Sequence, residues 1–135
     1  MNSNVVLICG SRNWKNSDAI NQQLKNIIEN YPPSNTIIIH GDCQGADKLG
    51  AKLASNFGYN IRAYPAEWNK YGKGAGPIRN EKMLKDNNVN LTLAFCDSLS
   101  ESRGTLDMIK KCLRRKIPVR LFFIIKLLNL LMREI

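Results

Sequence analysis

The chain has 135 residues, 44 % hydrophobic and 23 % charged, an ordinary globular composition that suits one domain with a single core. The formal net charge is +9, and from Arg103 onward nine Lys and Arg stand against only Asp107 and Glu134; such a basic end reads either as a solvated helix face or as a surface for nucleic acid. Cys9, Cys43, Cys96 and Cys112 are scattered without a C-x-x-C pair, and no basic, apolar leader opens the chain, so a cytoplasmic protein with reduced thiols is expected, without a disulfide frame, a metal or a cofactor.

Val5 to Cys9 form an apolar first strand, stopped by Gly10-Ser-Arg-Asn-Trp14. A glycine, a hydroxyl, a cation and an aromatic directly after a buried strand suit a phosphate and a base. Gly10, Ser11, Arg12 and Trp14 are therefore candidate ligand contacts. Ser17 or Asp18 is placed to cap the helix that follows, with Ile20, Leu24, Ile27, Ile28 and Tyr31 as its apolar stripe and Pro32-Pro33 as its stop. Ile37 to Ile39 read as a strand buried on both faces. The turn from His40 and Gly41 to Gly45 then leads into a helical pattern of Ala46, Leu49, Gly50, Leu53, Ala54 and Phe57. Strand, glycine turn and helix N-terminus together aim backbone N–H groups and a positive dipole end at an anion.

Ile61 to Tyr64 are a short third strand. Pro65 to Asn80 follow as a long connection rich in glycine and aromatics, with Glu67, Trp68, Lys73 and Gly76 among its residues; connections of this length in small domains are often functional. Pro77 reads as the first residue of the next helix, carrying Ile78, Met83 and Leu84 inward. Arg79 and Asn80 then fall in its first turn, where a cation opposes the dipole unless an anion is near. Leu91 to Phe95 are the fourth strand, and a second polar loop ends in Arg103-Gly104-Thr105 before a helix with Ile109, Cys112 and Leu113 on its apolar side. Ile117 to Leu121 are an edge strand. The apolar stretch 121–135 is interrupted by Lys126 and Asn129 and is too short to be a membrane span; it reads as the rest of that strand and a short helix that packs on the sheet or pairs subunits, so a homo-oligomer is an expectation.

The alternation predicts an α/β fold: a Rossmann-like parallel sheet of about five strands with helices on both faces, one domain over 1–135. The unusual residues fall on the strand-to-helix connections, whereas the return connections look like ordinary caps. One ligand site on one edge of the sheet is implied, at the C-terminal ends of the strands.

With these loops laid out, the chain resembles the YspA-like branch of the SLOG superfamily, Rossmann-like domains related to the LOG (lysine-decarboxylase-like) phosphoribohydrolases and to DprA. The resemblance rests on Gly10-Ser-Arg12, His40-Gly41 with Gly45-Ala-Asp47, Pro65-Ala-x-Trp68, Gly72-Lys73 with Ala75-Gly-Pro-Ile-Arg-Asn80, Met83, Ala94-Phe95 and Arg103-Gly-Thr105. It implies a Rossmann-like domain that binds a nucleotide or nucleotide-derived ligand. Two departures matter. Asp42 and Gln44 stand where the family usually has a glycine and an arginine. The LOG enzymes carry a glutamate three residues after the Gly-Thr pair, where this chain has Met108. Asp107 is one residue off, a rotation of about 100° on a helix, and a methionine can neither activate water nor stabilise an oxocarbenium-like sugar.

Three functions remain in view. The first is binding or sensing a nucleotide-like small molecule, with Gly10, Ser11, Gly41, Gly45, Gly104 and Thr105 as donors and Arg12, Lys73, Arg79 and Arg103 as cations. Trp14 or Trp68 would stack on a base, and Asp47 would accept from a ribose hydroxyl. The second is hydrolysis of a nucleotide or nucleoside, with Asp47 or Glu67 as the acid or base and Asp97, Glu101 and His40 behind them. The third is nucleic-acid binding by the basic C-terminal third.

Overall fold

The computed structural model describes residues 3–122 and 132–133. The expectations for the apolar tail fall almost entirely outside these residues. Five strands, β1 (Asn4–Gly10), β2 (Thr36–His40), β3 (Asn60–Ala63), β4 (Leu91–Phe95) and β5 (Val119–Leu121), form one sheet in the order β3-β2-β1-β4-β5. Every pairing is parallel. This is the α/β, Rossmann-like arrangement.

Five helices connect the strands: α1 (Ser17–Ile27), α2 (Ala46–Asn56), α3 (Trp68–Tyr71), α4 (Ala75–Asp86) and α5 (Arg103–Arg114). The pleat sends successive residues of β1 to opposite faces. Val6 and Ile8 join Ile20, Leu24 and Ile27 of α1 and Ala54 of α2 in one core. Leu7 and Cys9 join Met83 and Leu84 of α4 and Met108, Ile109 and Cys112 of α5 in the other. β2 and β4 are buried along their whole length, as strands covered on both faces must be.

The local structure departs from expectation in three places. Asn16, not Ser17 or Asp18, caps α1, its Oδ1 accepting from the Ala19 N–H at 3.1 Å. Trp14 Nε1 donates to the Asn16 carbonyl at 3.0 Å, which fixes the entry to the helix one residue early. The long connection also shortens: α3 and a 3-10 turn at Gly72–Gly74 occupy it, and α4 begins at Ala75. Pro77 is thus the third residue of α4, a position whose missing N–H costs no helical bond, and Arg79 lies beyond the first turn. Finally, Ile78 and Leu113 are exposed, at 45 % and 61 %. Leu113 follows the fully buried Cys112, and one residue turns a helix face by about 100°.

Candidate functional site

β1 is central, and its chain leaves toward α1 on one face while β4 leaves toward α5 on the other. The two exits part and open a crevice at the C-terminal edge of the sheet. A cavity of about 760 Å³ fills that crevice, within the range of small-molecule sites. Its walls come from the end of β1 and the residues after it (Gly10, Ser11, Arg12), from Gly41, Cys43 and Asp47, from Arg79 and Asn80 of α4, and from the loop Asp97 to Glu101 with the first turn of α5.

The glycines divide into two kinds. A Cβ on Gly10 would lie 2.0 Å from the Phe95 carbonyl oxygen, and one on Gly45 would lie 2.3 Å from that of Ser11. Gly45 also holds φ +82°, a region that side chains resist. Both glycines let loops pack closely on one another. The N–H of Gly41 donates to Asp47 Oδ2 at 2.8 Å, that of Ser11 to the Phe95 carbonyl at 2.9 Å and that of Ala46 to the Ser11 carbonyl at 3.2 Å. These three donors of the first two loops are therefore engaged within the protein.

The start of α5 differs. No side chain caps it and no acid stands in its first turn, although Arg103 does. Nothing lies within 4 Å of the position a Cβ on Gly104 would take. Ser102, Arg103, Gly104 and Thr105 all line the cavity. An uncapped N-terminus leaves N–H groups without intrahelical partners, and its partial positive charge opposes a nearby arginine unless an anion joins them. Across the cavity Ser11 is 8 % exposed, and its Oγ has no hydrogen-bond partner. Of the described residues only Thr36 shares that property, and it opens β2 at the opposite edge of the sheet.

A chain of polar side chains forms the floor. Arg79 donates to the carbonyls of Gly41 and Tyr64, and its Nε donates to Asn80 Oδ1 at 2.8 Å. Asn80, 4 % exposed, passes the link on through Nδ2 to the Gly104 carbonyl at 3.2 Å and to Asp107 Oδ2 at 3.0 Å. Lys111 closes the series on Asp107 at 2.6 Å. These contacts tie the β2–α2 turn to α4 and α4 to the first turn of α5. Asp47 is buried beside them, and burial pushes its carboxyl up to about 6 against the opposing pull of Arg79 and the Gly41 N–H. His40 is buried as well; its Nδ1 accepts from the Asp42 N–H at 3.0 Å, and burial lowers its pKa.

Of the residues singled out in the sequence, the cavity gathers Gly10, Ser11, Arg12, Gly41, Asp47, Arg79, Asn80, Arg103, Gly104 and Thr105. Seven others lie elsewhere. Trp14 is 7 % exposed and tilted against Phe95, with ring centroids 5.6 Å apart, so its faces are covered by the core. His40 is buried at the end of β2, and Gly45 borders a separate hollow with Trp14 and Lys48. Trp68 is 47 % exposed on α3, a Cβ on Gly76 would lie 3.4 Å from its ring, and Lys73 lies in the 3-10 turn. Glu67 borders a separate shallow hollow with Arg62, Tyr71 and Lys82. Cys43, Ser98 and Ser100 line the main cavity without having stood out in the sequence, because only the fold brings their loops across from one another. Among the described residues no three His, Cys, Asp or Glu side chains group as a metal would need.

A family model described as the YspA, cpYpsA-related SLOG family matches residues 4–71. The chain belongs to that SLOG family. Gene 61 protein of Mycobacterium phage D29 is 31 % identical over 119 residues, covering 84 % of this chain and 92 % of the phage protein. No solved structure matches the chain. Membership in the SLOG family points to binding or modifying a nucleotide-related ligand. The matched residues run from β1 through α3 and stop before α4 and α5.

Proposed function

We propose that this SLOG domain binds a nucleotide-derived small molecule and grips it by one phosphate group at the N-terminus of α5. The observation that carries the reading is the uncapped first turn at Arg103-Gly104-Thr105, open to the cavity and lacking an acid. In the other two glycine loops the N–H groups of Ser11, Gly41 and Ala46 are spent internally, which favours the start of α5 as the phosphate seat. Arg12 and Arg103 bring charge to the cavity wall, while Arg79 is held by backbone carbonyls and Asn80, so its role is to hold the wall in place. Asp97 and Glu101, on the loop that leads into α5, also line the cavity and suit the hydroxyls of a ribose.

Titration calorimetry with AMP, GMP and ADP-ribose tests the proposal. Binding of at least one of them, weakened by Arg103→Ala, is expected; silence across all three defeats it.

A hydrolytic reading has one observation in its favour, Asp47 in the cavity wall, whose carboxyl burial pushes up to about 6. The LOG route lacks its acid here: Met108 is 2 % exposed in the core, and Asp107 is engaged by Lys111 and Asn80. Base release from AMP that disappears in Asp47→Asn would favour hydrolysis over binding alone.

A further inference from the structure

We infer that the outer face of α5 is a track for single-stranded nucleic acid, so that the phosphate seated at its N-terminus is the end of a strand. The inference rests on the phosphate seat proposed above and extends it along the helix. From Arg103 to Phe122 the chain carries seven Lys and Arg and a single acid, Asp107. That acid is paired within the protein with Lys111 and accepts a hydrogen bond from Asn80. Arg115 is likewise engaged, by Glu81 of α4. The remaining cations of α5, Arg103, Lys110 and Arg114, are all exposed.

Their spacing places them on one line. Seven residues after Arg103 the helix has turned by about −20°, and four more bring it round by about +40°, so the three side chains form one stripe about 16 Å long. Among the described residues of α5, no unpaired acid interrupts this stripe. Lys116 and Arg120, both exposed, continue the positive surface beyond the end of the helix. Cations at the C-terminal end of a helix are favoured by the dipole and need no ligand, but Arg103 stands at the wrong end for that explanation. Arg103 is also the point where stripe and cavity meet, because it lines the cavity and heads the helix. A linear chain of phosphates whose last member enters the cavity answers both features. An acidic protein segment answers only the stripe.

The test compares a short 5′-phosphorylated oligothymidylate, labelled at its 3′ end, with AMP. Lys110 and Arg114 are exposed and neither lines the cavity, so Lys110→Ala/Arg114→Ala should fold normally, as circular dichroism will verify. Strand binding followed by fluorescence anisotropy should fall steeply with salt. The double substitution should weaken it about tenfold at low salt and flatten the log–log salt slope by about 1.4, while AMP binding stays unchanged. Removing the 5′-phosphate should weaken the strand as well. Strand binding that ignores the double substitution or salt overturns the inference, as does displacement of the strand by polyglutamate at equal charge. In those cases AMP binding would still uphold the phosphate seat. Strand binding without any AMP binding would instead defeat the small-molecule reading and leave the track in place.

Discussion

Gly45 and Gly104 show how much hangs on single atoms. Gly45 combines φ +82° with a Ser11 carbonyl oxygen 2.3 Å from where a Cβ would sit, so Gly45→Ala should destabilise the fold by about 2–4 kcal/mol in urea titrations. Gly104 has open space around it and lies in a helix, where alanine is favoured by up to about 1 kcal/mol. Gly104→Ala should therefore leave stability unchanged or slightly raised while weakening AMP, because a methyl group then stands where phosphate approaches the backbone. Equal AMP affinity in the two proteins would count against the seat. Asp47 supplies the pH dependence. Its folded pKa of about 6 lies above the roughly 3.9 of an unfolded aspartate, so the folded state holds the proton more tightly. The stability conferred by the neutral carboxyl is complete below about pH 4 and is lost as pH rises through about 6. Asp47→Asn stays neutral throughout. Its stability relative to the parent should climb between pH 4 and 6 and then level off, by on the order of 1–3 kcal/mol. Paired urea melts at the two ends of that window measure it. His40, with its lowered pKa, titrates in both proteins and cancels in the comparison.

At the level of elements, α4 holds α5 in place. Asn80 uses its oxygen for Arg79 and its amide nitrogen for Gly104 and Asp107. Removing this buried amide breaks three hydrogen bonds at once. Asn80→Ala should cost about 2–3 kcal/mol, and Asn80→Asp, which keeps the acceptor but faces Asp107 with a like charge, should cost no less. Chemical denaturation of both variants checks this. The same helix shows where sequence patterns run short. Met83 and Leu84 are buried as expected, whereas Ile78 of the same apolar set is exposed. The start of α4 is not legible, because the 3-10 turn Gly72–Gly74 carries the chain into the helix earlier than a proline-first rule suggests. Cys112 and Leu113 repeat the lesson: both are apolar neighbours, and only contact with the sheet decides which one faces inward.

Over the whole molecule, the order β3-β2-β1-β4-β5 separates α1 and α2 from α4 and α5 and leaves the crevice between the exits of β1 and β4. Ligand binding should therefore slow amide hydrogen exchange in residues 96–106 and 10–13 and leave β3 and the C-terminal half of α1 unaffected; protection spread evenly over both faces would place the ligand elsewhere. The alternation of apolar strands with amphipathic helices sufficed to determine the α/β class, the parallel sheet and the edge on which the cavity opens, because burial periodicity and crossover geometry are local rules. The tertiary structure decided which glycines pack and which stay open, that Trp14 belongs to the core, and that Arg79 and Asn80 brace the wall. Those outcomes depend on distances between loops far apart in the chain, such as Gly45 against Ser11 and Asn80 against Gly104, and no pattern of neighbouring residues encodes such a distance.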